Sequence, residues 1–215
     1  MYKMCRTNTQ SGRSMIEMLG VLAIIGVLSV GGIAGYSKAL EKIKINKQME
    51  QISNIINAIL QYPKNYYIHS GMTSRLHSFV PFLKAIKAID EEMYTDNEET
   101  FQDVLGNHYK VYYYPDYDYI GINKYIITED NYSIDTCRNF FKIGKIFHND
   151  INRIQFNDTD TSTDSTSNSR AIMYWGDSYC NGTRKCLKDL TLAETEILCR
   201  NCTQGNKCYT TIWIY

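Results

Sequence analysis

The sequence predicts an α+β protein with a long N-terminal helix and a C-terminal head that contains β-strands. Residues 18–36 carry no charge and run into an apolar pattern with helical spacing, and runs of β-forming residues follow in the second half of the chain. A cluster of cysteines in the last third predicts disulfide-rich loops in the head. The length of 215 residues suits one ordinary domain plus an anchor.

The N-terminal segment combines a polar leader, one carboxylate and an uncharged apolar run. The leader, residues 1–12, contains Lys3 and Arg6 but no acidic residue, and it ends at Gly12. Glu17 stands at the edge of the apolar run, where an ionised group is costly, so it is a candidate functional residue. The run itself is just under the ~20 residues that a membrane-spanning helix needs. We therefore expect residues 13–36 to span a membrane.

The helical pattern continues beyond the apolar run and becomes amphipathic. Apolar residues recur at helical intervals at Leu40, Ile43, Met49, Ile52, Ile56, Ile59 and Leu60. Pro63 follows the last of them and is a helix-stopping residue. The pattern predicts one helix from about residue 13 to about residue 61, with residues 37–62 as its amphipathic half and residues 63–215 as the head.

Within the head, the sequence predicts one further helix, three strands and a disordered loop. Residues 78–93 have the spacing of a short amphipathic helix. Tyrosine-rich and β-branched runs predict strands at residues 109–114, 125–128 and 209–215, and sheet propensity alone explains the tyrosines. Residues 157–170 are almost wholly polar and predict a disordered loop. Its aspartates lack the glycine and the terminal glutamate of an EF-hand, which disfavours calcium.

The cysteines favour disulfides over zinc. Cys5 lies in the leader, and an even set remains outside it: Cys137, Cys180, Cys186, Cys199, Cys202 and Cys208. Such a set suits an oxidising compartment. Cys199 and Cys202 have zinc-like spacing, but no second pair of this spacing accompanies them. If all six pair within one chain, Cys137 must bond across the polar loop to one of the other five, and which one stays open.

Composition and motifs give no sign of catalysis or of nucleic-acid binding. The 23 basic and 23 acidic residues balance, so no basic face is evident. The chain contains no Gly-rich phosphate loop, no G-x-S-x-G motif and no H-E-x-x-H motif. We therefore expect a protein that is not an enzyme, with no catalytic residues, no cofactor and no metal.

The N-terminal segment resembles the prepilin N-terminus of the type IV pilin and type II secretion pseudopilin superfamily. The resemblance covers roughly residues 7–45, and the residues that carry it are Gly12, Ile16, Glu17, Met18, the run AIIGVL at 23–28, and Tyr36. Two positions depart from the family pattern. Arg13 stands where the family usually has Phe or Met, and Ala34 stands where many pilins have proline, although Gly31, Gly32 and Gly35 also weaken the helix there.

This resemblance implies a processing step, an assembly residue and a pilin-like fold. A prepilin peptidase would remove residues 1–12 by cutting after Gly12 and would methylate the new amino terminus at Arg13. Glu17 would then pair with the terminal amine of a neighbouring subunit. The helix would remain as a membrane anchor and later as a filament core, packed on a C-terminal antiparallel sheet.

The sequence is therefore interpreted as a structural subunit of a type IV pilus or a type II secretion pseudopilus. We expect it in a bacterial inner membrane with its head in the periplasm, and in an extracellular or periplasmic filament. This homo- or hetero-oligomeric filament is built with the inner-membrane assembly machinery. Two alternatives remain: a monomeric membrane-anchored periplasmic binding module, and a secreted disulfide-rich protein. Glu17 disfavours the first alternative, because an anchor alone has no use for this carboxylate. The mass of the mature N-terminus tests the second alternative, the secreted form.

Overall fold

A computed structural model of the chain describes residues 15–61, 77–114, 119–126, 134–160, 170–200 and 206–214. The chain divides into two compact units, Met1–Ile43 and Lys44–Tyr215. Helix α1, Met15–Gln61, supplies the described part of the first unit and the beginning of the second. The long N-terminal helix that the sequence predicts is thus confirmed.

In the second unit, α1 buries one face. Its buried residues are Gln48, Gln51, Ile52, Ile55, Ile56 and Ile59. Counted from Gln48, they follow the i, i+3, i+4, i+7, i+8, i+11 pattern, which places them on one side of a helix. The predicted apolar stripe is confirmed at Ile52, Ile56 and Ile59. Leu60 of the same pattern is 37% exposed, and Leu40 and Ile43 lie in the first unit, where they are 39% and 61% exposed.

The described strands form one antiparallel sheet. They are β1 His77–Ser78, β2 Phe101–Gln102, β3 His108–Tyr114, β4 Tyr119–Ile126, β5 Ile151–Asp160, β6 Arg170–Trp175 and β7 Asn206–Ile214. Their spatial order is β1-β3-β4-β7-β5-β6, and β2 pairs with β3. Strand β7 comes after all the others in the chain yet pairs with β4 on one side and β5 on the other. It therefore joins the two parts of the sheet.

The helix predicted over residues 78–93 is shorter in the structure. Helix α2, Val80–Ala85, is followed by a turn and by a 3-10 helix, Glu91–Met93. Lys87 adopts a left-handed backbone conformation with φ 58°. The Lys87 N–H bonds to the Lys84 carbonyl and the Ala88 N–H to the Leu83 carbonyl, which is the hydrogen-bond pattern of a Schellman motif. This motif ends α2, although the terminating residue is not a glycine.

Other elements differ from the predictions. Strands β3, β4 and β7 correspond to the three predicted strands, with β4 beginning at Tyr119, well before residue 125. Helices α3, Ile134–Ile146, and α4, Leu192–Arg200, were not predicted. Residues 157–160 and Arg170 belong to β5 and β6 rather than to a disordered loop, because backbone pairing with β7 continues to Asp160. The rest of that tract, residues 161–169, lies outside the described residues.

The core of the second unit is built by one face of the sheet together with α1 and α3. Along β3, Tyr109, Val111 and Tyr113 are buried while the alternate residues are not. The Tyr109 ring stacks on Phe101 at 5.1 Å and on Phe140 of α3 at 5.9 Å. Alternation of this kind is typical of a sheet with one buried face.

Candidate functional site

The apolar part of α1 in the first unit exposes nearly all of its large side chains. Met15, Ile16 and Val27 are 83%, 79% and 75% exposed. An 18-residue window of this helix has a mean hydropathy of 2.2 and no buried residue. Among the described residues, α1 is the one helix long and apolar enough to cross a membrane by length and composition. A membrane anchor and an N-terminal signal sequence share these properties.

Glu17 lies in the first turn of α1 and its side chain is exposed. A carboxylate in a first turn also stabilises the helix through the helix dipole, which is an ordinary structural role. The predicted processing residues, Gly12 and Arg13, lie outside the described residues.

The head contains a buried polar network, here called the polar latch: Gln48, Asp103, Asn107, Tyr109 and Asn139. The Asp103 carboxylate accepts hydrogen bonds from Gln48 Nε2 at 2.6 Å and from the Tyr109 hydroxyl at 2.5 Å. It also accepts from Asn107 Nδ2 at 2.8 Å. Asn139 Nδ2 donates to Gln48 Oε1 and to the Ile45 carbonyl, both at 2.9 Å. The latch therefore connects α1, β3 and α3.

Burial makes the polar latch energetically important. Gln48 and Tyr109 are 0% exposed and Asp103 is 4% exposed. A buried carboxylate is costly unless donors surround it. Burial, followed by the charge of Asp103, raises the pKa of the Tyr109 hydroxyl well above its ordinary value, so this hydroxyl stays protonated and donates. Sequence reasoning missed the latch because its members are far apart in the chain and share no motif.

The structure has two disulfides among the described residues. Cys137–Cys199 joins α3 to α4, and both cysteines are 0% exposed. Cys180–Cys186 closes a short loop on the surface. Disulfide bonding is thus confirmed for these four cysteines, and Cys137 does bond across the polar tract. Cys202 lies outside the described residues, as does the side chain of Cys208. The described residues contain no His, Cys, Asp or Glu group that could hold a metal.

An ion-pair cluster lies beside the buried disulfide. Arg138 donates from Nε and Nη2 to the Glu196 carboxylate at 2.8 and 2.7 Å, and from Nη1 to Asp135 at 2.8 Å. Arg200 Nε donates to Glu196 at 2.6 Å. Two-pronged pairs of this kind are stronger than single contacts. Hydrogen bonds from Arg138, then from Arg200, lower the pKa of Glu196.

Glu196→Gln is expected to lower the melting temperature at neutral pH and to have little effect in acid. The pKa of Glu196 in the folded protein lies below its ordinary value of 4.5. Its contribution is therefore complete above that value and is lost as the pH falls through the folded-state pKa. Thermal melts of the unsubstituted protein and of Glu196→Gln, from neutral pH to acid, measure the difference in melting temperature. Glu99→Gln, at an exposed position, is the control. A difference that persists unchanged in acid contradicts the assignment.

No family model matches the chain, and neither do curated proteins or solved structures. The described layout is a long apolar N-terminal helix, an antiparallel sheet and two disulfides. The case for a function therefore rests on the chain's own residues.

Proposed function

We propose that this protein is a structural subunit of a filament of the type IV pilus or type II secretion pseudopilus kind. One observation carries the proposal: an exposed, uncharged run with Glu17 at its edge, on a helix that also supplies part of the head core. A simple anchor explains the apolar run but gives the Glu17 carboxylate no role beyond stabilising the helix dipole.

In this proposal, the exposed apolar side chains of α1 have one environment before assembly and another after it. Apolar surface of this extent is unfavourable in water, so it needs lipid or other apolar helices around it. In the proposal, a bilayer surrounds it before assembly, and the same helices of neighbouring subunits surround it afterwards. Glu17 then has a partner only in the filament, namely the terminal amine of a neighbour that was processed at Arg13.

The head contributes mechanically rather than chemically to this function. The polar latch and the buried isoleucines fix the second half of α1 to the head, and Cys137–Cys199 fixes α3 to α4. A filament subunit needs such cross-links because tension on its helix is transmitted to the head. The partners in this proposal are other subunits of a homo- or hetero-oligomeric filament, a prepilin peptidase and the inner-membrane assembly machinery. The head lies in the periplasm.

Glu17→Ala is expected to leave membrane insertion intact and to reduce filament yield about tenfold or more. Removing one partner of a charge pair with low solvent exposure costs at least ~1.4 kcal/mol of interaction free energy. This cost corresponds to a tenfold change in an equilibrium constant. Shearing of cells followed by immunoblotting measures the yield, and membrane fractionation measures insertion. Glu41→Ala is the matched control, since Glu41 is an exposed carboxylate on the same helix. Equal yields from both variants contradict the proposed role.

The mass of the mature protein separates the proposal from its two alternatives. Protein from the native host is expected to start at Arg13 with a methylated amine, as measured by intact-mass spectrometry. A start near Gly35 indicates the secreted disulfide-rich alternative. A membrane-bound chain that starts elsewhere and stays monomeric after crosslinking indicates the anchored binding module.

A further inference from the structure

The loop that the Cys180–Cys186 disulfide closes contains an asparagine followed directly by a glycine. Asn181, Gly182 and Thr183 are all exposed, whereas Leu187, just beyond the loop, is buried. Asn181-Gly182 is the one Asn-Gly pair in the whole sequence. This pair therefore lies at an accessible point of a loop that is otherwise held by a covalent cross-link.

An asparagine side chain can react with the backbone of the residue that follows it. The backbone nitrogen attacks the side-chain Cγ and forms a five-membered succinimide ring. A following residue with a Cβ restricts the backbone conformations that allow this approach, and glycine does not. At Gly182 even an added Cβ would have no neighbour within 4 Å, so the surroundings do not crowd the reacting atoms.

Hydrogen bonding leaves both reacting nitrogens of this pair free. Among the described residues, neither the Gly182 N–H nor Asn181 Nδ2 has a hydrogen-bond partner. The turn at this point is closed by a different bond, from the Arg184 N–H to the Asn181 carbonyl at 2.7 Å. The attacking nitrogen and the leaving nitrogen therefore need not give up a hydrogen bond within the protein before they react.

Thr183 assists at the carbonyl that would be attacked. Its Oγ1 donates a hydrogen bond to Asn181 Oδ1 at 3.2 Å. Attack on Cγ places negative charge on Oδ1, and a donor already directed at that oxygen stabilises the charge as it develops. The loop thus supplies a free nucleophile, a free leaving group and a polarised carbonyl in three consecutive residues.

We propose that Asn181 is a site of spontaneous deamidation, at which the head converts an amide into a carboxylate without an enzyme. The Gly182 nitrogen loses its proton to solvent and bonds to Asn181 Cγ, and the Cγ–Nδ2 bond breaks with release of ammonia. Water then opens the succinimide at either of its two carbonyls, which gives aspartate or isoaspartate. The net reaction consumes one water and releases one ammonia. It is a property of the head and does not depend on filament assembly.

The product changes the charge and the backbone of the loop. A carboxylate at position 181 adds one negative charge to a loop that carries Arg184 and Lys185. Isoaspartate also lengthens the main chain by one carbon within the ring that the disulfide closes. The surface of an old copy of this protein would therefore differ from that of a newly made copy.

Incubation of the full-length protein in detergent, at body temperature and mildly alkaline pH, tests the proposal. Peptide mapping by liquid chromatography and mass spectrometry follows the conversion of amide to acid. We expect both aspartate and isoaspartate at position 181, formed faster as the pH rises because the attacking nitrogen must lose a proton. Asn97 is the internal control, since it is exposed but is followed by Glu98, and it is expected to stay an amide.

Gly182→Ala is the matched variant and is expected to slow the conversion of Asn181 at least about tenfold. The added Cβ has no neighbour within 4 Å, so the head should keep its fold, which a thermal melt checks. Equal rates in this variant and in the unsubstituted protein would overturn the proposal, as would equal rates at Asn181 and Asn97. Aspartate without isoaspartate would also overturn it, because direct hydrolysis forms no succinimide. So would a glycan on Asn181 in protein from the native host, since Asn181-Gly182-Thr183 also matches the N-glycosylation motif.

Discussion

Asp103→Ala is expected to lower the free energy of unfolding of the head by about 3 kcal/mol or more. The substitution leaves the Gln48 amide and the Tyr109 hydroxyl buried without their acceptor, and each such orphaned group costs about 1–3 kcal/mol. Urea unfolding followed by circular dichroism measures the loss. Asp96→Ala, at an exposed carboxylate, is the control and is expected to change stability by no more than about 0.5 kcal/mol.

Tyr109→Phe separates the loss of a hydrogen bond from the loss of the whole acceptor. It removes one donor but leaves the Asp103 carboxylate with its contacts from Gln48 and Asn107, so the loss is expected to be smaller. In the double variant the two effects should not add, because the residues share one network. Additive losses, or an Asp103→Ala loss no larger than that of Asp96→Ala, would show that the polar latch contributes little.

Gly176→Ala is expected to destabilise the head by about 3 kcal/mol, the upper part of the range for overpacked sites. An added Cβ would lie 2.0 Å from the Ile151 carbonyl oxygen and 2.7 Å from that of His148. Both atoms are backbone and cannot rotate away. The chain is also held in place, because the Gly176 N–H bonds to the Asn152 carbonyl and the Asp177 N–H to the His148 carbonyl, both at 2.8 Å.

Two other glycines calibrate this result. At Gly182 an added Cβ has no neighbour within 4 Å, so Gly182→Ala is expected to be nearly neutral. At Gly144 the nearest atom is Ile154 Cδ1 at 2.1 Å, the end of a flexible side chain, so an intermediate loss is expected. Thermal melts of the three variants give the ranking. If the Gly176→Ala and Gly182→Ala variants have the same melting temperature, the close approach of the Ile151 and His148 carbonyl oxygens to Gly176 does not exist in solution.

Local patterns predicted part of this fold well. Helix α1 has apolar residues whose spacing directly reflects helix geometry, and β3 has the alternation of a half-buried strand. The predicted helix over residues 78–93 was too long, because α2 ends at the left-handed conformation of Lys87. A lysine is not typical of such a position. Helix α3 was missed although it buries Cys137, Phe140 and Phe141 at helical spacing.

Other features had no local signal. The polar latch brings together Gln48, Asp103 and Asn139, whose separations of 55 and 91 positions carry no recognisable motif. The insertion of β7 between β4 and β5 depends on strand order, which is not visible in the individual strand sequences. Of the predicted assembly site, Glu17 is described at the start of α1, and its role stays a prediction.

The central position of β7 has a consequence for how this protein is made. Before Asn206–Ile214 emerges, β1 to β4 and β5 with β6 are separate ribbons, and each has an unpaired edge. The sheet of the head cannot be completed while its earlier strands are being synthesised, because its central strand is the last one in the chain. Pairing between strands that are distant in sequence also slows folding. Until β7 is made, the β4 and β5 edges that it will pair with are both exposed. During this period the newly made head is prone to aggregate and is suited to recognition by chaperones.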